Sequence, residues 1–391
     1  MKPQTHVIVI GAGIIGLSTA YALLKRGEVR VTLLEQATVD SEQAMSHGFS
    51  RLLRFEYGAD HQYTHMVQLS LKAWRELERT ASRRLYTPSG VLLLGKVNDH
   101  YAQSSYHTVR ASGLPIKQLR EDECRKRFPQ FATSKYNTFS YNPEGGILHA
   151  STCLQTLRDL VLRMGGEIIE GCRVTRMDHD SLHQPVKLMA DMRGSSASLA
   201  ADRVVVAAGS WVHRLLPDHH LPVRMTRQYL LYFAGLPTAQ YEAGRFPAFM
   251  ADHLYGFPIH QGCNGWVKAA SHAVGTPVAP GETSTPDHRV LHSIREQLYA
   301  LLPALRTAQV ARVDSCIYDN SPDDDFILDY LPGDRRIVIA TGLSGHGFKF
   351  GLLLGTFLAT LTHDELPAIP IDRFRLARFH HAQVRQEHSV A

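Results

Sequence analysis

Three glycines and one acid offer the most readable chemistry in this chain: Gly11, Gly13 and Gly16 in the run Gly-Ala-Gly-Ile-Ile-Gly, and Glu35 at the end of the next apolar run. Placed between a strand and a helix, each has a task. Gly11 permits a tight turn, Gly13 lets the backbone approach a pyrophosphate seated on the helix N-terminus, and Gly16 allows the helix to lie close to the strand. Ile14 and Ile15 complete that turn, and Glu35, followed by Gln36, is placed to accept hydrogen bonds from a ribose. The pattern predicts a bound dinucleotide. It serves FAD and NAD alike and does not choose between them.

The elements that must hold these residues are legible nearby. Val7 to Ile10 are four β-branched residues in a row, as in a strand buried on both faces, and Leu17 to Arg26 are mostly helix formers, closed by Gly27. Val31 to Leu34 is a second such strand. Similar runs recur at Arg203–Ala208, which ends on Gly209-Ser210-Trp211, and at Ile337–Thr341, which leads through a glycine-rich loop into an apolar helix reaching about Leu361. A strand that ends in small residues brings its carboxyl end to a ligand in an open α/β sheet, so Ala208, Gly209 and Trp211 are a second approach to the cofactor.

Between these runs the patterning changes. Val67, Leu71 and Trp74 at helical spacing predict a core-facing helix over 64–79, and a second amphipathic helix is expected over Thr152–Met164. Ser89–Gly95 reads as a strand of a different sheet. Ile168-Ile169 and Cys172–Val174 return to strand, and residues 220–275 alternate as in an antiparallel sheet covered on one side.

Composition bounds the function. At 391 residues the chain exceeds a single core of about 250–300 residues, so two domains are expected. A net charge of +5 without dense basic runs argues against nucleic acid, and no stretch of about 18 uninterrupted apolar residues suggests a membrane span. Five cysteines with no CxxC argue against a disulfide framework or a zinc site, and point to reduced thiols in a cytoplasm. His219-His220, His380-His381 and Asp323–Asp325 have no ligand partners at recognisable spacing, so they are expected as solvated surface and no metal is expected.

Four segments in unbroken order, over about residues 6–360, resemble the monomeric sarcosine oxidase and N-methyltryptophan oxidase family of FAD-dependent amine oxidases. They are the glycine turn; Ser46-His-Gly-Phe-Ser-Arg51-Leu-Leu-Arg54 with Tyr57-Gly58; Tyr255-Gly-Phe-Pro258 leading to Lys268; and Ser315-Cys316-Ile-Tyr318 leading to Phe326-Ile-Leu-Asp329 and Gly345-His-Gly-Phe-Lys349. The resemblance implies FAD joined through its 8α-methyl to the sulfur of Cys316, although a lone cysteine is otherwise most often a small buried hydrophobe. It implies Lys268 over the flavin, where an ammonium stabilises the anion formed as O2 is reduced, with Ser50 helping to hold a water. Arg54 and Lys349 match the pair that holds a substrate carboxylate. Arg51 and His47 match positive groups beside the flavin ring, and Tyr255 and His272 match groups on the substrate side.

The remaining cofactor contacts are expected at Ser46, Gly48, Val174, Gly345, His346, Gly347 and Phe348, and the segments Gln228–Phe233 and Phe246–Tyr255 are expected to line the substrate side chain. The expected fold is α/β (α+β, two-domain). A Rossmann-type FAD-binding domain (1–82, 145–218 and 321–391) is interleaved with an antiparallel-sheet substrate domain (83–144 and 219–320). The expected activity is oxidation of an N-methyl or cyclic amino acid with O2 as acceptor, by a cytoplasmic monomer. The alternatives are a flavin dehydrogenase using another acceptor, a nicotinamide dehydrogenase, and a flavin-binding module without turnover.

Overall fold

In the computed structural model, which describes residues 4–379 apart from 28, 180–182, 280–281 and 283–285, the β-branched run forms strand β1 (Thr5–Ile10). The glycine turn leads into helix α1 (Ile14–Arg26), and β2 (Val29–Glu35) returns beside β1 in parallel, with Val7 opposite Val31. Gly27 closes α1 in the left-handed conformation that glycine adopts at low cost. The strand Arg203–Val206 lies on the other side of β1, followed by Asp334–Thr341; Glu167–Glu170 lies outside β2. All five run parallel, and Ile327–Leu331 adds one antiparallel edge.

Alternate residues of β1 serve two cores. Val7 and Val9 pack with Leu17 and Leu23 of α1 and with the helices Ala150–Arg163 and Gly351–Thr362. Ile8 and Ile10 turn to the opposite face, covered by a three-stranded antiparallel sheet of Cys172–Asp178, Val186–Met192 and Ser195–Ala201. Full burial of each such side chain contributes about 1.5–3 kcal/mol, so the run forms the spine of this half. Two of the three covering strands have little apolar alternation and do not announce themselves in the sequence.

A second, nine-stranded sheet contains the 220–275 region. The long strand Arg224–Ala234 pairs with Val267–Ser271 on one side and with Gln309–Asn320 on the other. The sheet is antiparallel except where Ala248–Ala251 runs parallel to Val91–Gly95, a departure from the expected pattern. Period-two alternation again divides the residues. Leu231, Phe233, Phe249, Val267 and Ala269 pack against Leu291, Ile294 and Leu298 of the helix His288–Leu301, whereas Leu230, Tyr232 and Ala270 belong to the other face.

Two further elements complete the frame: β3 (Ser50–Leu53), paired with Gly146–His149, and α2 (His61–Ala81), begun by Asp60, whose side chain accepts from the Tyr63 N–H. Among the described residues no helix is long and apolar enough to cross a membrane. Asp323 and Asp324 are exposed, as expected, whereas Asp325 is half-buried; Asp323 and Asp325 also pair with Arg378 and Arg373, in the chain after the last helix. His219 stacks on His179, with centroids 6.1 Å apart, while His380-His381 and the C-terminal residues lie outside the described residues.

Candidate active site

The glycine turn is built as its spacing requires. Gly11 has φ +100°, and a Cβ there would lie 2.4 Å from the Ala207 carbonyl oxygen; a Cβ on Gly16 would lie 1.8 Å from that of Gly11. Gly13, at the N-cap of α1, has no side chain to cap it, and the Ile14 N–H donates to Ser46 Oγ at 3.0 Å. The Glu35 carboxylate accepts from the Ala12 and Ala37 N–H groups at 2.8 and 3.0 Å, so it braces the turn it was expected to complement.

Around this turn lies a cavity of about 720 Å³. Gly11, Gly13, Ile14, Ile15, Glu35, Gln36, Ser46, Val174, Ala208, Gly209 and Trp211 all line it, with Gly16 packed behind. A second cavity of about 380 Å³ opens between the nine-stranded sheet and the segments 42–54 and 343–349. Its walls include His47, Gly48, Arg51, Arg54, Tyr255, Lys268, His272, Cys316, Gly345, His346, Gly347, Phe348 and Lys349. Ile14, Met45, Ser46, Asp319 and Leu343 line both cavities, which are therefore neighbours.

Four cations from remote parts of the chain face the second cavity. Lys268 stands opposite Tyr232 and Phe257 in the sheet, and its buried Nζ donates to the Ser50 carbonyl at 2.9 Å. Burial, followed by the nearby charge of Arg51, pulls its pKa down to about 7. Arg51 donates to the Ser50, Met45 and His47 carbonyls. The Arg54 guanidinium lies 4.1 Å from the Tyr57 ring centre, and Lys349 Nζ donates to Tyr57 Oη and the His346 carbonyl, each at 2.8 Å. Burial and Arg54 hold Lys349 well below its ordinary pKa. None of the four has an acidic partner within ion-pair distance among the described residues.

Of the five cysteines, four are buried and only Cys316 is partly exposed; it lines the second cavity. His272 stands 5.5 Å from Tyr318 and 6.4 Å from Tyr255 between ring centres, and its pKa is lowered by the surrounding protein and then by Arg54 and Lys349. His47 is held by Asp40, which raises its pKa. Two buried oxygens on the cavity walls have no partner in the protein, Ser50 Oγ and Asp319 Oδ1. A glycine cradle at a helix N-terminus, buried oxygens without partners and unpaired cations together fit a dinucleotide with an anion-bearing head.

Residues 6–361 match the FAD dependent oxidoreductase family. The chain belongs to that family. It is 32% identical to N-methyl-L-tryptophan oxidase of Yersinia pestis (strain Pestoides F) over 380 residues, covering 95% of this chain and 99% of the relative. L-proline dehydrogenase from P. horikoshii superposes with a TM-score of 0.84 at 18% identity, covering 98% of this chain and 99% of that one. Glycine oxidase from Geobacillus kaustophilus does so at 0.79 and 20%, covering 95% and 98%. The fold expected from the sequence is therefore the fold of FAD-dependent oxidoreductases, and the enzyme class follows.

Within this FAD-dependent oxidoreductase, several cavity residues went unread in the sequence. Asp319 is buried between the two cavities, and burial raises its pKa to about 6. Tyr318, on the wall of the second cavity, had no role assigned to it, and Glu56, two residues after Arg54, is a buried acid outside both cavities. Of the two segments expected to line the substrate side chain, only Leu230, Tyr232, Met250, Asp252, His253, Leu254 and Tyr255 reach the cavity; Phe246 and Phe249 are in the opposite core. Strand alternation could have made that division, and the buried acids carried no such signal.

Proposed function

We propose that this protein oxidises an amine bearing a carboxylate, with N-methyl and cyclic amino acids as the substrate class and O2 as the electron acceptor. The observation that carries the reading is the set of four cations around one cavity, without acidic partners among the described residues. Bound there, FAD supplies a hydride acceptor for the C–H beside the substrate nitrogen, and its reoxidation by O2 gives hydrogen peroxide.

The residues divide the work by chemistry. Arg54 and Lys349 hold the substrate carboxylate, one as a planar fork and one as a point charge. His272, kept neutral at pH 7 by its surroundings, can accept a proton or hydrogen bond from the amine, which must be neutral to give up hydride. Tyr255 closes the substrate side. Arg51 and His47 place positive charge beside the flavin head, and Lys268, with a water held by Ser50, stabilises the anion formed from O2. Cys316 is the proposed covalent anchor through the flavin 8α position, supported by its being the one cysteine with access to this cavity among the described residues. Glu35 and Gln36 are the proposed ribose contacts.

The division into FAD-binding segments (1–82, 145–218, 321–391) and substrate segments (83–144, 219–320) belongs to the same reading. Every strand of the six-stranded sheet falls in the first set and every strand of the nine-stranded sheet in the second. The deciding experiment is anaerobic mixing with a panel of N-methyl and cyclic amino acids, followed by peroxide assay in air. Bleaching of the flavin and stoichiometric peroxide are expected. Bleaching without peroxide would transfer the activity to a dehydrogenase, and no bleaching by any member would overturn the reading.

A further inference from the structure

We infer that Tyr101 is a positioning residue for Arg54, holding its guanidinium where a substrate carboxylate docks. Tyr101 lies in the first turn of the helix His100–Ala111, which packs on the Val91–Gly95 strand of the nine-stranded sheet. The residue is 40% exposed, yet its hydroxyl is directed inward. That hydroxyl accepts from Arg54 Nη1 at 2.8 Å and donates to the Glu56 carbonyl at 2.7 Å. Arg54 Nη1 also donates to the same carbonyl, closing a three-membered hydrogen-bonded ring.

The local backbone makes room for this contact. Gly58 has φ +60°, and a Cβ there would sit 3.1 Å from the Tyr101 ring, in the space the ring occupies. The opposite side of the guanidinium is bounded by Tyr57, whose hydroxyl also accepts from Lys349. A flexible arginine with no acidic partner loses much conformational freedom when it binds a carboxylate, and one hydroxyl that fixes a guanidinium nitrogen beforehand lowers that loss. Removing the hydroxyl alone leaves the ring against Gly58 in place, so its loss reports on the hydrogen bonds rather than on packing. Tyr101 thus ties the carboxylate clamp to the substrate-side sheet.

The inference rests on the reading of Arg54 as a carboxylate ligand, so the two are tested together in the flavin-loaded protein. Acetate and benzoate serve as bare carboxylates, with binding read from the flavin absorbance. Tyr101→Phe is expected to raise their Kd roughly 10- to 20-fold, the lower end for one hydrogen bond to a charged group. The kcat/KM preference for an N-methyl amino acid over the same amine without its carboxyl group should fall by the same factor. A Kd within twofold of the parent, or equal losses on both amines, overturns the inference. Arg54→Met separates the two ideas: weakened binding there with none in Tyr101→Phe overturns only the role of Tyr101, and unchanged binding in Arg54→Met overturns both.

Discussion

Replacing Lys268 with Met removes a buried ammonium whose nearest polar partner is the Ser50 carbonyl, while keeping an unbranched side chain of similar length. At an effective dielectric near 20, a unit charge about 4 Å from a full negative charge is worth about 4 kcal/mol. The charge on oxygen is only partly developed at the transition state, so a loss of about 2.5–4 kcal/mol, or roughly 10²- to 10³-fold in the oxidative half-reaction, is expected. The pH dependence follows from the same burial. With a pKa near 7, Lys268 goes from about nine-tenths charged at pH 6 to about one-tenth at pH 8, so reoxidation should slow about tenfold across that interval. The assay is stopped-flow mixing of anaerobically reduced protein with oxygenated buffer at several pH values, beside a reductive half-reaction with substrate. Reoxidation of Lys268→Met within threefold of the parent, or an unaltered pH slope in the variant, would refute the argument.

Other residues give separate tests. Cys316→Ser should leave flavin that is released on acid precipitation, whereas the parent's colour should stay with the pellet; equal release from both would remove the thioether. Gly16→Ala places a Cβ 1.8 Å from the Gly11 carbonyl oxygen and should cost about 3 kcal/mol or more, at the upper end of overpacking, seen as a lower melting temperature with depleted flavin. Asp319 has a folded-state pKa raised to about 6 against an ordinary value of about 3.9. Its contribution to stability is therefore full below about pH 4 and lost as pH rises through about 6. Asp319→Asn should accordingly gain up to about 3 kcal/mol at pH 7 relative to its effect at pH 4, read as melting temperature against pH.

What could be read in advance differs by residue. The turn at Gly11–Gly16 was legible because its conformational demands exclude other side chains, and β1 because four β-branched residues in a row leave few alternatives. Trp74 and Leu71 announced α2 by spacing alone. By contrast, Lys268 is indistinguishable from a surface lysine until the sheet register sets it opposite Tyr232 and Phe257. Its part in the cavity came from resemblance, as did those of Arg54, Lys349 and Cys316. Tyr101 and Asp319 matched no recognised motif role. Their significance depends on contacts across the fold, which local patterning does not encode. The ion pairs of Asp323 and Asp325 were not foreseen for the same reason: their partners lie some fifty residues downstream.

Ile14, Met45, Ser46, Asp319 and Leu343 belong to the walls of both cavities at once. A substitution at any of these five reshapes the space beside the glycine turn and the space beside the cations together, so losses of flavin retention and of turnover are expected to travel in step there, whereas changes at Val174 or at His272, each confined to one cavity, should separate them.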